Sequence, residues 1–564
     1  MTLKYPWRSL SIGMAVASLV VPGPAPASTG HTTSRHDTVE GWESKPFYTL
    51  PMNARPYNFL RGGFSHARKS YKWRRHGAGK QLLQFNTPIQ HVVIVYMENR
   101  TPDNLFASAY NTPWPPTPGN YATWGQALDL ATTNFLTPKG LEWNCDPDHS
   151  HYQGFINEAK SWNLEQFGSS TGTCQGDGTN PNVYHYVTPS EIVNYETLIS
   201  DWAYASHVLQ SNEGPSFIAH QYAIAGQSGA LGNSVMPMPT ASAAAMAENP
   251  RNGPPPTPAA GSSIYYEPYV YTTGNCYTQG QFADTVNMSQ NYTTSSDRSN
   301  PTYNPPCVDY PTILDSVDGA LGSPPSYLDW QYIASHKDSI WAAPMAINHF
   351  YNNYHANETD STQPFAVDKD AINFVNNLNN AGNPVRPLAA LTYITPCLTE
   401  SDHPNTAGDT EYGPQWLAWL VNSIGESQYW PNTTIIVTWD DWGGWYDHFN
   451  NNNSGWPYHP ANNAYHDMWP AVTADGDEYG FRVPMIVISP YVQYPSYISG
   501  NLRSQGAILD YIENTFGLAT LGTDDKYNDN LGDMFNFVPP AKPLPYTPVP
   551  GVSTTPNPNW CAIP

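Results

Sequence analysis

The stretch that decides the fold is Thr434-Ile-Ile-Val-Thr-Trp-Asp440-Asp441-Trp-Gly-Gly-Trp-Tyr-Asp447-His448. Its apolar, β-branched beginning is typical of a strand that is buried on both faces of a parallel sheet. Two adjacent carboxylates follow, and open α/β sheets bind ligands at the carboxyl ends of such strands. Because neighbouring carboxylates repel each other, a bound cation is the natural way to keep Asp440 and Asp441 ionised. The glycine pair allows a tight turn or a close approach to a ligand. A solvated acidic turn is the alternative interpretation.

The same pattern occurs earlier in the chain. Residues Ile89–Met97 predict a second buried strand, which ends in Glu98-Asn99-Arg100. A helix that starts at Thr101 or Pro102 would place its N-terminal amides beside that strand end, where they favour an anion such as phosphate. Glu98 also fits an ordinary acidic residue at a helix start.

A serine and a histidine pair are further candidates. Gly214-Pro-Ser216 precedes an apolar periodic run, which predicts a turn into a helix with Ser216 at or near its N-cap. Serine is favoured at that position for structural reasons. The functional interpretation is a hydroxyl nucleophile, whose developing charge a metal and a helix N-terminus can stabilise. His149 and His151 are candidates for phosphate contact or acid–base chemistry, with a pair of surface loop histidines as the alternative.

Composition limits the partners and the compartment. The chain has 564 residues and a net charge of −23, so we expect no nucleic-acid partner. Lys4 and Arg8 precede an apolar run from Leu10 to Val21, and the small residues at 25–27 fit a cleavage site, which predicts a signal peptide over 1–27. The apolar run is too short to predict a stable membrane span. We therefore expect a protein that is secreted or periplasmic.

Six cysteines are an even number in a chain that is predicted to be exported, so we expect three disulfide bonds. We expect Cys145 to pair with Cys174 and Cys276 to pair with Cys307, because each pair closes a local loop. Cys561 offers a way to pin the Pro-rich C-terminal tail. A zinc site is the weaker interpretation, because no C-x-x-C spacing occurs.

Strands alternate with helices along the chain, which predicts an α/β fold in which helices sandwich a sheet. Further strands are expected at 388–394 and 485–489, and helices are expected at 195–209, 414–424 and 505–516. The predicted organisation, in chain order, is a signal peptide at 1–27, an irregular basic leader at 28–85, a main domain at 86–535 with a loop-rich insertion at about 228–310, and a Pro-rich tail at 536–564.

Five motifs follow one another along the chain: Val93-Ile-Val-Tyr-Met-Glu98-Asn99-Arg100, Glu213-Gly-Pro-Ser216, Ser401-Asp-His403-Pro404, Asp440-Asp441-Trp-Gly-Gly-Trp-Tyr-Asp447-His448 and Arg482-Val-Pro-Met-Ile-Val-Ile-Ser-Pro490. In these motifs the chain resembles the bacterial phosphoesterase family, which holds phosphatidylcholine-type phospholipases C and a secreted acid phosphatase. The resemblance covers roughly residues 86–535, apart from the insertion. It implies an alkaline-phosphatase-like core, in which a mixed sheet lies between helical layers.

The resemblance also implies a set of site residues. These are a nucleophile at Ser216, phosphate contacts from His149 and His403, and one divalent metal ion held by Glu98, Asn99, Asp440 and Asp441. His448 is expected to support the paired aspartates, with direct phosphate contact as an alternative. Two positions depart from the family: Asp441 stands where Glu is common, and Ser499-Gly-Asn501 stands where the family often has Ser-His-Thr.

The resulting hypothesis is a secreted, metal-dependent phosphoesterase that hydrolyses phosphate esters through a phosphoserine intermediate and acts like a phospholipase C on phospholipid head groups. One alternative is an acid phosphatase that acts on soluble phosphomonoesters. The other is a catalytically silent secreted protein that binds carbohydrate or a surface on the same fold.

Overall fold

The apolar run is a central strand of an eight-stranded sheet in the computed structural model of this protein. The strands of the sheet, numbered along the chain, are β1 (His91–Met97), β2 (Ala203–Ala205), β3 (Trp330–Ala334), β4 (Phe365–Val367), β5 (Leu391–Ile394), β6 (Thr433–Trp439), β7 (Met485–Ile488) and β8 (Tyr497–Ser499). Their order across the sheet is β4-β3-β5-β1-β6-β7-β2-β8. β7 runs antiparallel to β6 and β2, and the other neighbours run parallel. The sheet is therefore mixed, as expected.

Part of the chain is described by the structure, and all of that part belongs to one unit, Phe47–Pro564. The described residues are 87–110, 137–149 without 142, 144 and 148, 183–212, 216–227, 276, 310–319, 328–335, 339–355, 364–367, 371–379, 386–404, 412–447, 479–538, 542–558, 560 and 561, together with short strands at 74–76, 80–82, 263–266 and 284–287.

The centre of the sheet is fully buried. β6 pairs in register with β1 along its whole length, from Thr433 opposite His91 to Trp439 opposite Met97. The side chains from Val92 to Val95 are inaccessible to solvent. β-Branched residues suit these strands because they fit a pleated surface that is covered on both faces.

Helices flank the sheet on both faces. They are α1 (Pro102–Tyr110, with a kink at Phe106), α2 (Val193–Asp201), α3 (Ser216–Ala225), α4 (Ile313–Asp318), α5 (Asn348–Tyr354), α6 (Ile372–Asn379), α7 (Tyr412–Gly425) and α8 (Gly506–Phe516). α7 packs against α2 and α6, whereas α8 packs against α3 and α4.

The two helix groups lie on opposite faces, as the contacts of two neighbouring sheet positions establish. Tyr96 contacts the ring of His220 in α3. Trp439 contacts the ring of Tyr195 in α2 and pairs with Met97, the residue after Tyr96. Because adjacent residues of a strand point to opposite faces, α3 and α2 cover different sides. The expected sandwich of helices around a sheet is confirmed.

One predicted helix is wrong in part. The sequence predicts a helix over 195–209, but α2 ends at Asp201 and is followed by β2 and a short strand, Val208–Leu209. Tertiary contacts explain why the helix stops there, because β2 is buried between β7 and β8 and pairs with both. A short apolar segment suits either a helix or a strand, and the available partners decide. The helices predicted at 414–424 and 505–516 are observed as α7 and α8.

The C-terminal tail lies along α7. Cys561 forms a disulfide bond with Cys397, 164 residues away. This bond attaches the tail to the main domain, as expected for Cys561. The ring of Trp560 packs at a tilt against that of Trp419 in α7, with ring centroids 5.0 Å apart. Cys145 and Cys276 are also disulfide-bonded. Their expected partners, at positions 174 and 307, lie outside the described residues, so those pairings stay predictions.

Short two-stranded sheets occur in two of the predicted accessory segments. Arg74–His76 pairs with Lys80–Leu82 in the predicted leader, and Ser263–Tyr266 pairs with Asp284–Asn287 in the predicted insertion. The segment boundaries and the signal peptide stay predictions. Among the described helices, none combines the length and the apolar character that crossing a bilayer requires.

Candidate active site

The four predicted metal ligands meet where β1 and β6 end. Glu98 and Asn99 directly follow β1, and Asp440 and Asp441 directly follow β6. The strand ends are joined by hydrogen bonds, since Asp440 N donates to Met97 O at 2.9 Å and Asn99 N donates to Asp440 Oδ1 at 2.9 Å. Because β1 and β6 are parallel neighbours, their carboxyl ends bring all four side chains to one edge of the sheet.

Gly443 shapes the turn that follows the paired aspartates. Its φ of 64° lies in the left-handed region, which glycine adopts without steric cost. A Cβ atom at this position would clash with Asn99 O, so the turn lies directly against the end of β1. The amide of Gly443 also donates to Asp441 Oδ1 at 2.7 Å, which fixes the orientation of that carboxylate.

Ser216 brings a hydroxyl to the same edge from α3. It is the first residue of that helix, and its side chain is buried. Its Oγ lies 3.0 Å from Asp441 Oδ2 and 3.3 Å from Asn99 Oδ1, within hydrogen-bonding distance of both. Negative charge on this oxygen would also interact favourably with the N-terminus of the helix. The hydroxyl therefore faces side chains that follow two different strands.

His220 is a member of this cluster that the motifs do not indicate. It lies on α3 four residues after Ser216, so both side chains project from one face of the helix. Its Nε2 lies 2.8 Å from Glu98 Oε1 and 3.8 Å from Asp440 Oδ2. Ligand atoms of Glu98, His220 and Asp440 all lie within 4.8 Å of one another. The four-residue spacing from the serine is the sequence signal that points to His220.

The donors at this edge suit a divalent cation. Glu98 and Asp440 are inaccessible to solvent, and Glu98 Oε2 and Asp440 Oδ2 accept no hydrogen bond from the described residues. Buried carboxylate oxygens without a donor are costly unless they are paired or bind a metal. Carboxylate, amide and imidazole groups are also usual ligands of divalent metals. The residues present therefore fit the ion that the resemblance implies.

Burial and mutual repulsion set the charges of this cluster. Burial, and next the charge of Asp440, raises the pKa of Glu98 well above its ordinary value. Burial lowers the pKa of His220 to about 4, against the opposing charge of Asp440. Burial acts to raise the pKa of Asp440 as well, but His220 and hydrogen bonds outweigh it, and that pKa falls below its ordinary value. Burial thus disfavours the charged form of Glu98, and a bound cation would favour it.

His149 reaches the site through Asn99. Its Nδ1 lies 2.8 Å from Pro147 O, and because a carbonyl oxygen only accepts, Nδ1 carries the proton. Nε2 of the neutral ring therefore accepts from Asn99 Nδ2 at 3.0 Å. This hydrogen bond orients the amide so that Asn99 Oδ1 faces the hydroxyl of Ser216. One side chain thus bridges the predicted phosphate-contacting histidine and the predicted nucleophile.

His403 follows β5 and lies near the same cluster. Its Nδ1 donates to Pro404 O at 2.6 Å. The ring of Trp341 lies beside both His403 and His220, with centroids 6.1 Å and 6.3 Å away. Burial lowers the pKa of His403, on which the charge of Asp440 also acts. The structure therefore brings the third predicted strand end to the site.

Two candidate histidines, at positions 151 and 448, lie outside the described residues, so their roles stay predictions. Asp447, at the end of the described part of that motif, accepts from the backbone amide of Arg482 at 3.0 Å and pairs with its guanidinium. Arg482 begins the last of the five motifs. This ion pair therefore joins two motifs and holds the turn after β6 in place.

Comparisons with known proteins add a relative and two solved structures. Non-specific phospholipase C6 of Arabidopsis thaliana is 29% identical over 102 residues, which are 17% of this chain and 18% of the relative. Ps i-CgsB in complex with k-i-k-neocarrahexaose has a TM-score of 0.30 at 10% identity, over 78% of this chain and 75% of that one. A protein of the alkaline phosphatase superfamily from Vibrio parahaemolyticus has a TM-score of 0.28 at 9% identity, over 83% and 77%.

The family assignment rests on the sequence match rather than on these superpositions. The model of the phosphoesterase family matches residues 89–519, which include the sheet strands from β1 to β8 and every motif described above. Because the match extends over well more than half of the chain, this protein belongs to the phosphoesterase family.

Proposed function

We propose that the protein is an exported, metal-dependent phosphoesterase that uses Ser216 as its nucleophile and acts on phospholipid head groups. The observation that carries the proposal is the position of Ser216 Oγ, 3.0 Å from Asp441 Oδ2 and 3.3 Å from Asn99 Oδ1. A serine that served only as a helix cap would turn its oxygen toward the amides of its own helix. This hydroxyl instead lies against an acceptor that can take its proton, which is what activates a nucleophile.

The metal ion would be held by the oxygens of Glu98, Asn99, Asp440 and Asp441. When bound, it would supply positive charge to the serine oxygen and to the phosphate oxygens. The buried oxygens of Glu98 and Asp440 that lack a donor support this assignment.

The first half of the reaction transfers the phosphoryl group to the protein. Ser216 Oγ bonds to phosphorus, and the bond between phosphorus and the leaving alcohol oxygen breaks. The serine proton passes to Asp441 Oδ2, 3.0 Å away. The leaving oxygen takes a proton from Nε2 of His403, whose protonated form the anionic substrate favours. Most of the catalysis is positioning and charge stabilisation, as phosphoryl transfer requires.

The second half restores the enzyme. Water attacks phosphorus of the phosphoserine, and the bond from phosphorus to Ser216 Oγ breaks. One proton of the water passes to His403, which replaces the proton that His403 gave to the leaving oxygen. The proton on Asp441 returns to Ser216 Oγ. His149 keeps Asn99 oriented toward the serine.

One observation supports phospholipid head groups as the substrate, and a second favours a head group without net charge. The relative from Arabidopsis thaliana bears the name of a phospholipase C, although the match covers 102 residues. The net charge of −23 disfavours binding to an anionic membrane surface. We therefore propose a zwitterionic head group such as phosphocholine. Export is supported by the predicted signal peptide and by disulfide bonds, which form in oxidising compartments.

The test compares full-length wild type with Ser216→Ala on p-nitrophenyl phosphate and p-nitrophenyl phosphorylcholine. We expect Ser216→Ala to remain folded and to lose activity by about 1,000-fold or more, as loss of a nucleophile does. Ser423→Ala is the matched control, because that serine is also buried in a helix but donates to Trp419 O at 2.7 Å in α7.

Activity on the two substrates, measured with and without a metal chelator, separates the alternatives. Hydrolysis of the choline diester that chelation abolishes supports the proposal. Hydrolysis of the monoester alone would instead indicate an acid phosphatase. A folded, metal-free protein that hydrolyses neither would indicate the binding protein, and full activity in Ser216→Ala would remove the nucleophile.

A further inference from the structure

We propose that His220 is itself a ligand of the metal ion, through Nε2, and that it makes the site selective for a nitrogen-binding transition metal such as Zn²⁺ over Ca²⁺ or Mg²⁺. The inference rests on the proposed function, because it concerns the ion of the same site. It adds a ligand that the five motifs do not contain and commits to a class of metal.

The ring of His220 is held rigidly where a ligand is needed. It is fully buried and lies beside the rings of Tyr96, at 5.7 Å, and Trp341, at 6.3 Å. Its helix is tied to the sheet by Tyr393, whose hydroxyl donates to Ala223 O at 2.9 Å. Nδ1 of His220 has no hydrogen-bond partner among the described residues, so ring packing and the contact of Nε2 with Glu98 fix the orientation of the imidazole.

The distances are close to those between atoms that share one ion. Nε2 lies 2.8 Å from Glu98 Oε1 and 3.8 Å from Asp440 Oδ2. Two ligand atoms that each bind one zinc ion at about 2.1 Å are separated by roughly 3 to 4 Å. Asp440 Oδ2 and Glu98 Oε2 accept no hydrogen bond from the described residues. A small movement of these side chains is enough to place all three groups on a common centre.

Charge balance favours a cation among these groups. Of the basic side chains that the structure describes, His220 is the one within ion-pair distance of Glu98 and Asp440. Glu98 and Asp440 bring two carboxyl groups together in a site without access to solvent, where ionising both is costly. A divalent ion cancels both charges, whereas the uncompensated pair would be costly to bury.

The nitrogen donor determines the class of metal. Ca²⁺ and Mg²⁺ take oxygen ligands, and Mg²⁺ keeps several waters. Imidazole suits Zn²⁺, Fe²⁺ and similar ions. A set that combines one imidazole with carboxylates therefore selects a transition metal. If His220 only donated a hydrogen bond to Glu98, the carboxylate would be oriented but the ion would have no nitrogen neighbour.

The experiment examines the ion directly, in full-length protein stripped with a chelator and reloaded with Zn²⁺. X-ray absorption reports whether an imidazole binds the zinc, and competition titrations give the affinities for Zn²⁺ and Ca²⁺. The variant is His220→Gln, which keeps a polar group of similar length. His349→Gln is the matched control, because the Nε2 atom of His349 lies 3.0 Å from Asp315 Oδ1 in a second histidine–carboxylate pair.

We expect imidazole scattering in the wild type and in His349→Gln, and its loss in His220→Gln. The affinity for Zn²⁺ is expected to fall at least about tenfold in His220→Gln, with the affinity for Ca²⁺ nearly unchanged. Thermal unfolding establishes that the variant is folded, and His220→Asn replaces it if it is not.

Zinc bound without an imidazole neighbour in the wild type, or an unchanged spectrum and affinity in His220→Gln, would overturn the inference and leave the metal-dependent function standing. A wild type that binds no divalent ion and hydrolyses its substrates in chelator would overturn both, so the two failures are distinguishable.

Discussion

Asp402 holds an uncommon backbone conformation directly before His403. Its φ of 72° lies in the left-handed region, which few residues other than Gly, Asn and Asp adopt. Its Oδ2 accepts from Tyr195 Oη at 2.8 Å and from Trp439 Nε1 at 3.0 Å. Because Trp439 immediately precedes Asp440, one buried carboxylate links the loop that carries His403 to the end of β6. Asp402 is therefore a positioning residue.

Two replacements of Asp402 test together its left-handed backbone conformation and the hydrogen bonds that its carboxylate accepts. Asp402→Ala is expected to lower the free energy of unfolding by about 2–4 kcal/mol, because it strains the backbone and leaves two buried donors without an acceptor. Asp402→Asn keeps an acceptor and tolerates the left-handed φ, so its loss is expected to be smaller. Urea unfolding measures both variants, and equal losses would contradict this role.

Most site residues are readable from the sequence one at a time, because polar side chains that interrupt an apolar run mark the end of a strand. Glu98, Asn99, Asp440 and Asp441 all have this signal. His220 does not, since a histidine inside an apolar helix resembles a core residue. Its partners Glu98 and Asp440 directly follow β1 and β6, and tertiary structure brings those strand ends to its ring.

The turn after β6 gives the sharpest prediction for a structural element. Gly443→Ala is expected to destabilise the protein by more than the roughly 1–2 kcal/mol that a left-handed alanine costs, because the new methyl group also meets Asn99 O. Gly517→Ala is the matched control, since Gly517 has a φ of 67° with no atom near its Cβ position. Unfolding free energies measure the difference between the two variants. Equal losses of stability would show that a methyl group at position 443 does not clash with Asn99 O.

The existence of strands and helices is predictable from pattern, but their directions and some of their boundaries are not. A strand buried on both faces has no alternation, and an apolar run does not indicate which way it crosses the sheet. The sequence therefore predicts the strand β7 but not its antiparallel direction. The segment after Asp201 became β2 because β7 and β8 lie on both sides of it.

Across the whole molecule, the sequence predicts the family and the architecture, because motifs far apart in the chain occur in one order. It does not predict the path by which Cys561 reaches Cys397, since the tail must lie along α7 for that bond to form. The bond also brings the tail to Glu400, whose Oε1 accepts from Cys561 N at 3.1 Å.

The stability of the molecule is expected to depend on pH through Glu400. Burial raises the pKa of Glu400 from 4.5 to about 7. The folded protein therefore binds this proton more tightly, so the contribution to stability is fully present below pH 4.5 and is lost as the pH rises to about 7. We expect Glu400→Gln to gain stability relative to wild type by about 1.4 kcal/mol per pH unit across this window. Urea unfolding at several pH values measures this difference, and a constant difference would contradict the role of Glu400.

The central claim, that Ser216 carries the phosphoryl group, is tested most directly by trapping that group on the protein. Full-length enzyme is mixed with p-nitrophenyl phosphorylcholine or p-nitrophenyl phosphate, whichever it hydrolyses, quenched in acid during turnover, digested and analysed by mass spectrometry. We predict one phosphoryl group on Ser216 in the wild type and in Ser423→Ala, and none in Ser216→Ala. A phosphoryl group on a different residue, or an active enzyme that is never labelled, would contradict the account.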